Sequence, residues 1–124
     1  MVKALVVDDS RAIRMIVGKT LRELGYEVRE AANGQEALTV IAAENNAIQL
    51  VLADWNMPVM NGLELVKELR QNPALSSTRV VMVTTETEVE HMASALAAGA
   101  NEYVMKPFTK DILVEKLEMV GLHC

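Results

Sequence analysis

The stretch Lys3-Ala-Leu-Val-Val-Asp-Asp-Ser10 decides how this chain is read. Four successive apolar residues suit a strand buried on both faces, and two adjacent carboxylates, Asp8 and Asp9, end it abruptly. The same figure recurs. Residues 48–53 are followed by Asp54, residues 79–83 by Thr84-Thr85, and residues 103–105 by Lys106-Pro107. Between them lie segments with helical periodicity. Residues 10–24 carry Ile13, Ile16, Val17, Leu21 and Leu24 at i, i+3, i+4 spacing, and Gly25 supplies a stop. Residues 26–30 alternate like a strand, and Asn33 with Glu36 has capping-box spacing for a second helix through Ala43. A third helix over 63–71 ends before Pro73, a fourth runs from about Glu88 to Ala98 before Gly99, and Thr109 caps a fifth through Val120.

Five β-α units in strict alternation predict an α/β fold, a doubly wound parallel sheet with helices on both faces. Strands one, three and four are almost wholly apolar, which places them centrally. The 124 residues fit one domain, 1–124, with no linker or low-complexity tract. No apolar run exceeds four residues, far short of a membrane span. Seventeen acidic against twelve basic residues, and only four aromatic side chains, argue against a nucleic-acid surface. The single cysteine, Cys124, cannot form an internal disulfide, which fits a reducing cytoplasm.

Because parallel strands all end at one edge, Asp8, Asp9, Asp54, Thr84 and Lys106 converge on one rim, where ligands of open α/β sheets bind. Any one of them alone is ordinary turn chemistry. Together they describe a site. Carboxylates gathered at one point repel unless a cation sits among them, and an oxygen-only donor set suits Mg²⁺. Such a site can present a phosphoryl group to Asp54 as nucleophile, with Thr84 and Lys106 holding phosphoryl oxygens.

The strings Leu5-Val-Val-Asp-Asp-Ser10, Asp54-Trp-Asn-Met-Pro58 with Gly62, Val83-Thr-Thr-Glu86 and Tyr103-Val-Met-Lys-Pro-Phe108 resemble those of response-regulator receiver domains, in order and over the whole chain. The pattern is most similar to that of single-domain chemotaxis regulators. The resemblance implies a flavodoxin-like strand order 2-1-3-4-5 and phosphorylation of Asp54 by a histidine kinase of the chemotaxis type. It implies Mg²⁺ bound by Asp9, Asp54 and the Asn56 carbonyl, with Asp8 acting through water. Thr84 and Tyr103 would form the switch, Asn56 and Glu86 would tune dephosphorylation, and the Lys106–Pro107 bond would be cis. Phosphorylation would reshape the surface of helix four, strand five and helix five for an output protein such as a flagellar motor switch. A phosphatase is a further partner, the chain is expected to be a monomer, and no catalysis beyond its own phosphoryl transfer and autodephosphorylation is implied. One departure is Ser10-Arg11 after the acid pair, where those regulators carry a phenylalanine.

Other readings compete. A phosphorelay intermediate would pass its phosphate to a histidine phosphotransfer protein. A phosphoaspartyl hydrolase would need a second Asp two residues after Asp54, where Asn56 stands, and a flavodoxin-like cofactor binder would need a phosphate loop in place of Asp8-Asp9. Arg11, Arg14, Lys19 and Arg22 read as a solvated helix face, with kinase docking as the alternative. Most of the eight methionines read as core filler, Met57 and Met60 excepted. Trp55 reads as a reporter of phosphorylation, and His123-Cys124 as a fraying tail.

Overall fold

A computed structural model describes residues 2–85 and 90–122 of the chain. In chain order the elements are β1 (Lys3–Val7), α1 (Arg11–Glu23), β2 (Glu27–Ala31), α2 (Gly34–Ala43), β3 (Leu50–Asp54), α3 (Gly62–Gln71), a 3₁₀ turn (Pro73–Leu75), β4 (Arg79–Thr84), α4 (Met92–Ala98), β5 (Glu102–Met105) and α5 (Lys110–Met119). All strand pairs are parallel and the order is β2-β1-β3-β4-β5, so the three most apolar strands occupy the centre as expected. The implied 2-1-3-4-5 arrangement is the one observed.

The pleat sorts side chains into two cores. Leu5, Val7, Val51, Ala53, Val80 and Met82 face α2, α3 and α4 through Ala37, Ile41, Leu65, Leu69, Met92 and Ala95. Ala4, Val6, Leu50, Leu52, Val81, Val83 and Val104 face α1 and α5 through Val17, Leu21, Leu113 and Leu117. Period two along each strand therefore decides which layer a residue joins.

Helix starts follow their caps. The side chains of Ser10, Asn33, Asn61 and Thr109 each accept an N–H three residues on. The reciprocal capping box is found at Asn61 and Glu64, not at the predicted Asn33 and Glu36, where only the Asn33 half is made. Strand β3 starts at Leu50, because the Ile48 carbonyl is taken by the Thr78 hydroxyl at 3.0 Å. The predicted start of helix four at Glu88 lies outside the described residues, as do Glu86, His123 and Cys124.

Two expectations about surfaces are overturned. Ile16 is 64% exposed rather than core, since α1 rests on the sheet through Val17, Gly18 and Leu21. Met15, Met105 and Met119 are exposed, while Met57, excepted from core filling above, is buried like Met82 and Met92, so core filling does not describe the methionines as that reading had it.

At the edge opposite the strand ends, Arg70 ties α3 to the chain around it. Its guanidinium donates to the carbonyls of Gly99 (2.9 Å), Leu75 (2.9 Å) and Thr78 (2.8 Å) and to Asn101 Oδ1 (2.8 Å). Replacing it strands partly buried acceptors, so Arg70→Met is expected to cost about 2–4 kcal/mol. Thermal unfolding should show a Tm lower by about 8–20 °C, and Arg70→Lys should recover only part of it.

Candidate functional site

Strand register builds the site. Val7 pairs with Ala53, Asp54 with Val83, and Thr84 with Met105. Asp8 therefore leaves β1 beside Asp54 at the end of β3, and Lys106 follows β5 just beyond Thr84. Side-chain parity refines the placement. Asp8, Asp54 and Lys106 continue the rows of Ala4-Val6, Leu50-Leu52 and Val104 on the α1/α5 side. Thr84 continues the row of Val80-Met82, on the other side, where Tyr103 also packs.

Carboxylate oxygens of Asp8, Asp9 and Asp54 all lie within 4.8 Å of one another. Asp8 and Asp54 are buried and Asp9 is exposed. Lys106 Nζ stands between the two buried acids, 3.2 Å from Asp8 Oδ2 and 3.5 Å from Asp54 Oδ1. The Ser10 N–H donates to Asp8 Oδ1 at 2.8 Å, and the N–H of Asn56 donates to the Asp54 carboxylate. Burial pushes the Asp54 carboxyl up from 3.8 to about 6, with repulsion from Asp8 adding to it, against the pull of Lys106 and the Asn56 N–H. Burial works against the Lys106 charge, but Asp54 and Asp8 outweigh it and raise its pKa.

The donor set around the three acids is all oxygen, with no imidazole or thiolate in the group among the described residues. That chemistry fits a hard divalent cation, and one open acid, Asp9, leaves room for water.

The remaining predicted residues take these places. Thr84 is fully buried, and its hydroxyl donates to the Thr85 carbonyl at 3.2 Å. Asn56 is exposed beside Asp54. Tyr103 is half-buried, with Lys116 Nζ 5.2 Å from its ring centre and 3.7 Å from Glu102. The Lys106–Pro107 bond is cis. Glu86, expected to tune dephosphorylation, falls outside the described residues.

The loop after Asp54 is tightly seated. The Trp55 N–H donates to the Val83 carbonyl and Gly62 N–H to the Trp55 carbonyl, both at 3.0 Å. A Cβ at Gly62 would sit 2.8 Å from the Asp54 carbonyl oxygen, which explains the glycine in the motif. Val59, at φ 69°, carries the strain of the tight turn, and the Met60 N–H donates to the Pro58 carbonyl at 2.7 Å.

Two residues escaped the sequence. His91 stacks on Trp55 with centroids 5.6 Å apart and planes 6° from parallel. Arg14, assigned to a solvated face, is instead half-buried, with Nη1 on the Asp8 carbonyl at 2.6 Å and Nε on Glu30 at 3.1 Å. Only spacing could have flagged it: Arg14 lies one helical turn into α1, directly after the acid pair.

With this geometry in view, the chain belongs to the response regulator receiver domain family, whose pattern matches residues 4–118. Among curated relatives it is similar to the chemotaxis protein CheY1 of Helicobacter pylori, 47% identical over 119 residues, 95% of each chain. It is also similar to a CheY homolog of Campylobacter jejuni, 46% identical over 95% of this chain and 91% of that one. Among solved structures, Vibrio cholerae CheY4 superposes with a TM-score of 0.87 at 42% identity, covering 97% of this chain and 98% of that one.

Burial of Asp54 has a measurable sign. A carboxyl whose folded pKa is about 6 rather than 3.8 favours folding when protonated. That contribution is complete below pH 3.8 and is lost as pH rises through 6. In metal-free buffer at pH 7, Asp54→Asn is therefore expected to raise stability by up to about 3 kcal/mol in denaturant unfolding. Added Mg²⁺ should stabilise the wild type above pH 6 and the variant far less.

Proposed function

We propose that this chain is a single-domain response regulator of a two-component system, acting in chemotaxis. It takes a phosphoryl group onto Asp54 from a histidine kinase in the presence of Mg²⁺. The observation that carries the proposal is the buried Asp54 carboxylate set among Asp8, Asp9 and Lys106 at one rim. Similarity to CheY proteins supports the pathway.

An Asp54 oxygen attacks phosphorus, the phosphorus–nitrogen bond of phosphohistidine breaks, and the electron pair leaves with the imidazole, which takes a proton. Lys106 already stands between Asp8 and Asp54, so its ammonium can turn to a phosphoryl oxygen without crossing the site. Thr84 must swing its hydroxyl from the Thr85 carbonyl to reach another oxygen. Asp9, Asp54 and the Asn56 carbonyl would hold Mg²⁺, with Asp8 acting through water, and the ion would supply charge neutralisation on the phosphoryl oxygens. Exposure of Asn56 beside Asp54 supports a role in meeting the water that removes the phosphate. Asn56 and Glu86 are the residues we assign to tuning that step.

Thr84 and Tyr103 share one side of the sheet, which supports a coupled movement of hydroxyl and ring. The readout surface is α4, β5 and α5, where Leu96, Met105 and Ile112 stand 41%, 38% and 43% exposed. A flagellar switch protein is the output partner we favour, with a phosphatase as a further partner. Phosphorylation shifts the population toward the form that surface binds best.

The kinase is assigned the α1 side of the rim. A groove of about 500 Å³ between α1 and the segment after β5 is lined by Ile13, Ile16, Val17, Pro107 and Phe108 and runs up to Lys106. A helix seated there brings its phosphohistidine to the rim.

With acetyl phosphate and Mg²⁺, mass spectrometry should find one phosphoryl group, on Asp54, together with a change in Trp55 fluorescence. Asp54→Asn should show neither, and a phosphorylated Asp54→Asn would refute the assignment. Ile16→Asp should slow transfer from a chemotaxis kinase at least about tenfold while leaving labelling by acetyl phosphate unchanged.

A further inference from the structure

The end of β1 is restrained from four directions. The Asp8 N–H donates to the Ala31 carbonyl at 3.1 Å, Ser10 N–H reaches Oδ1 at 2.8 Å, and Lys106 reaches Oδ2 at 3.2 Å. The fourth restraint is Arg14. Its Nη1 donates to the Asp8 carbonyl at 2.6 Å while its Nε is held by Glu30 on β2 at 3.1 Å. The Arg14 side chain is only 15% exposed, so the arrangement is fixed by packing as well as charge.

The Asp8 carbonyl belongs to the peptide plane that joins Asp8 to Asp9. A guanidinium bonded to it sets the rotation of that plane, and with it the directions in which both carboxylates leave the backbone. Glu30 holds the guanidinium from the other side and balances its charge. We propose that Arg14 is a positioning residue of the cation site, holding the Asp8–Asp9 peptide so that three carboxylates converge on one divalent ion. This rests on the reading of Asp8, Asp9 and Asp54 as that site.

Charge and position make opposite predictions here. If Arg14 acted only as a nearby cation, removing it would tighten binding of Mg²⁺. If it positions the peptide, removing it loosens binding, as loss of groups that orient metal ligands does.

Mg²⁺ titration of the full chain, followed by Trp55 fluorescence and independently by calorimetry, separates the two. Arg14→Met is expected to raise the Mg²⁺ Kd about tenfold. Arg14→Lys keeps the charge but not the two-pronged geometry, and should recover only part of the loss. Arg70→Lys, at the opposite edge, controls for stability and should lower Tm with Kd unchanged. A Kd for Arg14→Met that is unchanged or tighter overturns the inference, as does an equal weakening in Arg70→Lys. Failure of the wild type to bind Mg²⁺ at all overturns the site itself, and the inference with it.

Discussion

Three carboxylates within 4.8 Å of one another repel, and the sheet gives them no means of moving apart. Strands β1 and β3 are hydrogen-bonded neighbours in register, so Asp8 and Asp54 leave adjacent strands about 4.8 Å apart. Separating them would mean breaking the ladder that pairs buried Ala4–Val7 with buried Leu50–Ala53. The surrounding structure answers this constraint. Lys106 stands between the buried pair, N–H groups of Ser10 and Asn56 point at their oxygens, and the Asp54 carboxyl rises toward neutrality. A protein selected for stability alone would not keep such an arrangement. The strain of like charges is the physical ground for the cation site proposed above.

The fold was legible because each element carried its own signal. Apolar strand runs, caps at Asn33 and Thr109, and Gly25 and Pro73 as stops left little freedom. The rim was legible for a related reason: in a parallel sheet, the residue after each strand is enough to place it. Where the sequence misled, tertiary contact was responsible. Ile16 has the spacing of a core residue, but the apolar stripe of α1 is wider than its contact with the sheet. Ile48 is as buried as a strand residue, yet its carbonyl is bonded to a threonine hydroxyl rather than to a neighbouring strand.

Arg14 was misread for a deeper reason. Helical periodicity assigns it to a polar face, and its partners, Asp8 and Glu30, belong to two different strands. No local pattern reports a side chain that crosses from a helix to two strand ends. His91 is similar: only the packed structure brings it over Trp55. The charged residues of the rim were visible in the sequence, while the side chain that reaches the Asp8 backbone was not.

The alternation of the pleat has a consequence for how such a protein can change. Asp8, Asp54 and Lys106 stand over the layer packed by α1 and α5, whereas Thr84 and Tyr103 stand over the layer packed by α3 and α4. On the function proposed above, the sheet is a partition one peptide thick, with the acceptor carboxylate on one side, the Tyr103 ring on the other, and Thr84 and α5 linking the two. Repacking one hydrophobic layer would then alter mainly how fast the label is applied or removed, and repacking the other mainly how strongly it is felt. A single small domain would offer selection two dials that share some gearing.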